Sequence, residues 1–260
     1  MIKLMLPAAN FSIYEIQVNP GPCQVGGGFP LIFIGLRIIS TASSYGGAWH
    51  PRVEKLIFLK CWYLMGTLME TLAIDRKKTA IVVIDLQKGI ASRPTKPYSP
   101  SEVITNAAKL VGAFRKNSMP VFLVHVNSVP ELALKPLADE AMLRPAGAAM
   151  PADWAEFVPE LSQAHSDIVI NKRQWGAFYG TDLDLQLRRR GLDTFVLCGI
   201  ATDYGVESTA RFAYEYGFRQ VFVEDAMSSR SAEQHEAAVK FVLRRIGKVR
   251  STDEILKAIG

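Results

Sequence analysis

The sequence predicts an α/β protein built on a three-layer, doubly wound, six-stranded and mainly parallel sheet of the Rossmann-like kind. Two observations carry that class. Several segments from residue 79 onward are continuous apolar runs, the pattern of strands covered on both faces. Helical segments separate most of them, and strand–helix–strand crossovers build a parallel sheet with helices on both sides.

The elements follow in order. Residues 79–85, "TAIVVID", form a β-branched run and the first strand of this domain. Ser99-Pro100-Ser101-Glu102 reads as a capping box with Pro at the first helical position, opening a helix to about residue 117. Residues 120–126, "PVFLVHV", form a second buried strand. Residues 127–166 are rich in Pro and Ala without a clear period, and so long a connection suits a lid or pocket segment. A short strand is expected at 167–171, and a helix at 181–190 closed by Gly191. The run "TFVLCGI" at 194–200 is the fourth strand, followed by a helix over about 204–216. Residues 219–224, "RQVFVE", form the fifth strand, and a helix follows from about Ser231. A short strand near 248–250 precedes a helix capped by Ser251-Thr252-Asp253-Glu254.

The composition breaks near Met69. Residues 1–68 hold eight of the 19 glycines, five Lys/Arg and two acids, and are read as having no sustained helical or strand period. They are expected to be an extension, disordered or arising from a mis-assigned start, ahead of a folded domain over 69–260. The apolar run 30–40 is too short to span a bilayer and is interrupted by Arg37. Gly26-Gly27-Gly28 reads as a flexible loop. With 49% hydrophobic and 21% charged residues, the 260-residue chain is ordinary for a globular protein. The net charge of +5 leaves 25 bases against 23 acids, or +2, once residues 1–68 are set aside. That balance gives no electrostatic case for nucleic acid, and no membrane association is expected. Three scattered cysteines make neither a disulfide framework nor a zinc cluster and fit a reducing, cytoplasmic setting.

In open α/β sheets ligands bind beyond the carboxyl ends of strands. Asp85 closes the first strand, Lys172 follows the third, and residues 199–205 follow the fourth. Alone, Asp85 reads as a turn or cap residue and Lys172 as a surface lysine. At matching strand ends they become a candidate acid–base pair, because a lone carboxylate buried after an apolar strand is costly. The turn after the fourth strand is where α/β enzymes often carry a nucleophile, yet it presents Gly205. Cys198, inside an apolar strand, is expected to be inert. Ser208 and Thr209 have no histidine base. His125 lies on a strand and His165 before one, and no metal or other cofactor is expected. "IDLQKGI" lacks the G-x-G-x-x-G turn of dinucleotide sites.

The segments "TAIVVIDLQKGI" (79–90), "NKRQWGAFYGTDL" (171–183) and "CGIATDYGVESTARFAYEYGF" (198–218) resemble the signatures of the isochorismatase-like, or cysteine hydrolase, superfamily, in a branch with Gly at the nucleophile position. The resemblance covers nearly all of 70–260 and none of 1–68. It implies the isochorismatase-like hydrolase fold, Asp85 as general acid or base and Lys172 as its electrostatic partner. It also implies that Gly205 stands where amide-cleaving members hold cysteine, and that a cis peptide joins Ile200 to Ala201 and aims N–H groups at an oxyanion. Gln87, Trp175 and Phe178 are candidate pocket walls, core packing being the other reading of the aromatics, and Tyr204 adjoins the site. A small-molecule substrate and a homo-oligomer are implied as well.

Isochorismatases likewise lack the thiol and cleave a vinyl ether. On that reading Asp85 protonates the enolpyruvyl methylene carbon, water captures the oxocarbenium ion, and pyruvate leaves. Gly205 is then expected to make room for substrate. Lys172 would lower the pKa of such an acid, so burial or a substrate carboxylate has to offset it. Two departures leave the substrate open. "ATDYGVEST" is closer to the amidase-type loop, and Lys135 and Arg144 are the only cations of 127–166. The alternatives are an amide or ureide hydrolase in which Asp85 activates water, and a catalytically degenerate metabolite- or partner-binding relative.

Overall fold

The computed structural model describes residues 72–127, 139 and 151–260, and the backbone of 14–20 and 34–40. The chain divides into two units, Met1–Glu70 and Thr71–Gly260. In the first, strands β1 (Tyr14–Pro20) and β2 (Ile34–Ser40) pair antiparallel with Tyr14 opposite Ser40. This corrects the expectation of no regular element before residue 69. The signal lies in the period-two alternation of Tyr14, Ile16 and Val18 with Glu15, Gln17 and Asn19. Most of the expected lid, 128–138 and 140–150, lies outside the described residues.

The second unit is a six-stranded, all-parallel sheet of β3 (Thr79–Ile84), β4 (Val121–Val126), β5 (Ile168–Lys172), β6 (Thr194–Ile200), β7 (Arg219–Ser228) and β8 (Lys248–Arg250). Their spatial order is β5-β4-β3-β6-β7-β8. The chain winds outward from β3 through β4 to β5, then returns to β6 on the other side of β3. That reversal makes a topological switch point between β3 and β6.

The burial of each strand follows from its place. Central β3 is buried along its whole length, while edge strand β5 alternates buried and accessible residues. Each Val or Ile removed from water in β3 contributes about 1.5–3 kcal/mol. Helix α1 (Lys88–Ala91) follows β3, and the crossover to β4 runs through α2 (Pro100–Lys116). Ser99 and Glu102 form the expected capping box on α2, which buries Val103, Ala107, Leu110, Val111 and Phe114. Helix α3 (Leu183–Arg188) is shorter than expected and ends ahead of Gly191, whose φ of +65° suits glycine. Between β6 and β7 a π-helical turn, Thr202–Val206, runs into α4 (Glu207–Glu215). After β7 come α5 (Ala232–Ala238), a second π turn (Val239–Leu243) and α6 (Arg244–Ile246). The last helix, α7 (Thr252–Ile259), carries the second capping box and packs on α2. Among the described residues no helix is long and apolar enough to cross a membrane.

At the switch point the main chains of β3 and β6 are in close contact. Gly199, at φ +126°, lies where a Cβ would collide with the carbonyl of Ile84. The β6–β7 register shifts at the same place, between Leu197 and Gly199.

Candidate active site

Three strand ends meet at the crevice. Asp85 is the first residue after β3 and adopts φ +52°, a left-handed conformation that is uncommon for a non-glycine residue. Its N–H donates to Val124 O at 2.9 Å, which turns the chain out of the strand and fixes where the carboxyl group sits. Lys172 ends β5, two strands away. It lies within the strand, one residue beyond the expected limit. Its Nζ reaches Asp85 Oδ2 at 2.7 Å and donates to Gln174 O at 3.0 Å. Both side chains are almost fully buried, at 6% exposed for Asp85 and 2% for Lys172. The other carboxyl oxygen, Asp85 Oδ1, is buried without a hydrogen-bond partner among the described residues.

Two opposed forces set the proton affinity of Asp85. Burial disfavours the anion and raises the pKa to about 6, against the pull of the Lys172 charge and hydrogen bond and a weaker pull from His125. Burial prevails over the cation.

The third strand end is the turn after β6. The Ile200–Ala201 peptide is cis, and the N–H groups of Tyr204 and Val206 both donate to Ala201 O, at 3.2 and 3.1 Å. Gly205 is buried in this turn. A Cβ built on it would lie 2.8 Å from Ile84 Cγ2, 3.2 Å from Asp85 Oδ2 and 3.5 Å from Trp175 O. The Gly205 position therefore faces the Asp85 carboxyl group. A methyl group there would have to displace the Ile84 side chain, so glycine lets the turn lie close against the strand end.

Side-chain hydrogen bonds fasten the turn. Thr209 Oγ1 donates to Gly205 O at 2.6 Å and accepts from Ala177 N at 3.0 Å, tying the loop after β5 to the turn after β6. Thr202 Oγ1 meets Nδ1 of the buried His235 at 2.8 Å, and Ser229 Oγ donates to Asp203 Oδ1. At the mouth, the Trp175 ring stands edge-on to Tyr204 with centres 4.8 Å apart and is 52% exposed.

The structure thus brings together Asp85, Lys172, Trp175, Ile200, Ala201, Tyr204 and Gly205. Two other candidates are corrected. Phe178 packs with Phe195, Tyr216 and Phe218 beside the amino-terminal end of β6, the wrong end of the sheet for a pocket wall. Gln87 sits near the crevice, but its amide is committed to main chain. It donates to Val126 O and Trp154 O, both at 3.1 Å, and accepts from Val126 N at 2.9 Å. It is a fastener between strand ends. Sequence reasoning weighed Thr209 only as a nucleophile and missed its bond to Ala177 and the Thr202–His235 contact, whose partners are distant in the chain.

Cys198 is fully buried, and burial pushes its thiol up to about 12. His125 Nδ1 lies 2.8 Å from Ala155 O, and its ring is against Phe157. Among the described residues no three His, Cys, Asp or Glu side chains converge as a metal site.

The family described as "Isochorismatase domain" matches residues 79–254. The uncharacterized isochorismatase family protein YwoC of Bacillus subtilis (strain 168) is 54% identical, over 74% of this chain and 100% of that protein. A probable isochorismatase of Pseudomonas chlororaphis is 30% identical, over 71% of this chain and 87% of that protein. The solved structure of an isochorismatase family protein from Burkholderia thailandensis is similar over 72% of this chain and 97% of that one, with 40% identity and a TM-score of 0.66.

Proposed function

The chain belongs to the isochorismatase family, and on that premise we propose that it hydrolyses a small metabolite without an enzyme nucleophile, with Asp85 as general acid and Lys172 as its electrostatic partner. One observation carries the reading: Asp85 is a buried carboxyl group with one oxygen on Lys172, the other unpartnered, and a pKa raised to about 6. A general acid works best with a pKa near the operating pH. Gly205 offers no side chain at the position facing that carboxyl group, and Cys198 is fully buried with its thiol pushed up to about 12; both support a route without an enzyme nucleophile.

The chemistry suited to this arrangement is cleavage of a vinyl ether. The Asp85 proton adds to the terminal methylene carbon and leaves an oxocarbenium ion beside the carboxylate. Water adds to the cationic carbon that bears the ether oxygen and surrenders a proton to Asp85, which gives a hemiketal. The hemiketal then collapses to an alcohol and a ketone, pyruvate in the case of an enolpyruvyl ether. Lys172 steadies the carboxylate in the ionised half of the cycle.

A second reading draws on the same pKa. At pH 7 a group of pKa about 6 is mostly ionised, which suits a base activating water on an amide or ureide. Pyruvate and ammonia release from enolpyruvyl ethers and amides, measured on wild type and Asp85→Asn with the folded fraction checked by circular dichroism, separates the two. Undiminished turnover by folded Asp85→Asn sinks both.

A further inference from the structure

We infer that Arg230 is the anion-recognition residue of this site, and that with Tyr204 and Trp175 it forms a rim that takes the carboxylate of a small planar organic acid. The inference rests on the reading of the Asp85 crevice as a metabolite site and names the substrate class for it.

Placement comes first. Arg230 lies two residues beyond Ser228, the last residue of β7, and β7 neighbours β6, so its loop opens at the same end of the sheet as 201–205. Ser229 pins that loop. Its N–H donates to Lys96 O at 3.0 Å, its carbonyl accepts from Lys96 N at 2.8 Å, and its hydroxyl donates to Asp203. Arg230 is therefore held between the 96 loop and the π turn.

Its chemistry comes second. The Arg230 guanidinium carbon is 5.8 Å from the centre of the Tyr204 ring, within cation–π range. Stacking of that kind leaves the N–H donors of the fork unused. Arg230 is exposed and makes no ion pair or hydrogen bond among the described residues. Other arginines are engaged: Arg115 with Asp167, Arg188 with Asp184, Arg211 with Glu207. The nearby carboxylate of Asp203 accepts from Ser229. Lys172 cannot serve as an outer anchor, since it is buried and bonded to Asp85 and Gln174 O.

The rim supplies the third part. Trp175 is half exposed and fixed edge-on to Tyr204, and its carbonyl lies beside Gly205, so the indole stands on the same side of the turn as Tyr204. A flat apolar wall next to a free, planar, two-pronged donor is matched by a flat body bearing a carboxylate, which a guanidinium binds through two parallel hydrogen bonds.

Benzoate and benzamide, equal in shape and one charge apart, test this by calorimetric binding to wild type, Arg230→Gln, Arg230→Lys and Asp85→Asn. Wild type is expected to bind benzoate at least about tenfold more tightly than benzamide, a difference that one well-placed charged contact supplies. Arg230→Gln loses that preference at an unchanged melting temperature, because the side chain is exposed. Arg230→Lys keeps part of it, and Asp85→Asn keeps it while losing turnover. No binding of benzoate to wild type, equal affinity for the two probes, or an undiminished preference in Arg230→Gln overturns the inference. The catalytic reading fails separately: if Asp85→Asn still turns over while Arg230→Gln loses the preference, the rim stands and the acid does not.

Discussion

Lys172 reaches past the end of β4 to place its Nζ 2.7 Å from Asp85 Oδ2, although the two residues end strands that are not neighbours in the sheet. Both groups are withdrawn from water. The pair is therefore coupled in stability as well as in chemistry, and each partner sets the cost of losing the other.

Asp85→Asn leaves a buried ammonium without its counter-charge and is expected to cost roughly 3–5 kcal/mol, besides abolishing turnover. Lys172→Met costs less, because an isolated buried carboxyl group takes up a proton and becomes neutral. The double variant Asp85→Asn/Lys172→Met recovers part of the loss. Denaturant unfolding of the four proteins gives the coupling directly, and strict additivity would show that the two groups do not share a desolvated pair.

The raised pKa of Asp85 fixes the sign of two pH effects. The native state holds the proton more tightly than the unfolded chain between 3.8 and about 6, so stability falls as pH rises through that window and is level above it. The difference between wild type and the double variant should show a decline of roughly 3 kcal/mol from acid to neutral pH. Turnover by an acid-catalysed route falls as pH rises through about 6. A rate rising through the same region would favour water activation on an amide.

Gly205→Ala places a methyl group 2.8 Å from Ile84 Cγ2 and 3.2 Å from Asp85 Oδ2. The expected result is a loss of about 1–3 kcal/mol and a lower rate, as the turn moves off the strand end. Gly112→Ala is the control. That glycine sits mid-helix in α2 with nothing within 4 Å of a new Cβ, so the change is expected to stabilise by up to about 1 kcal/mol. Thermal melting of the two variants should move in opposite directions.

Gln87→Leu removes three hydrogen bonds and strands main-chain groups of the β4 end, for an expected cost of about 2–4 kcal/mol. Phe178→Ala costs about 3–5 kcal/mol through its aromatic cluster. Neither should change KM once the folded fraction is allowed for. A raised KM in Phe178→Ala would return that ring to the pocket wall.

Much of this fold is readable because local chemistry and tertiary position agree. The run "TAIVVI" has one solution, a strand buried on both faces, and Ser99–Glu102 and Ser251–Glu254 mark helix starts by side chains that bond their own backbone. Disagreements arise where a distant partner changes what a residue can do. Glu224-Asp225 resembles a strand end, yet β7 continues to Ser228, because Asp225 is taken up by the N–H and hydroxyl of Thr252 at 2.8 Å each. Asp85 and Lys172 stand out as polar groups closing apolar strands, but their contact depends on strand order. Gln87 and Phe178 were open to misreading for the same reason: their partners are a neighbouring strand's backbone and a remote ring cluster. Arg230 carried no local signal beyond its place after a strand.

The seam at Gly199 limits what mutation can do to this protein. Any side chain there would wedge against the Ile84 carbonyl and separate the two central strands, so that residue can be neither enlarged nor traded. The floor of the crevice is thus fixed in shape by main-chain contact. New substrates must be accommodated from above, by the loops that overhang it, and a mutational library aimed at altered selectivity should leave the seam alone and spend its diversity on the rim.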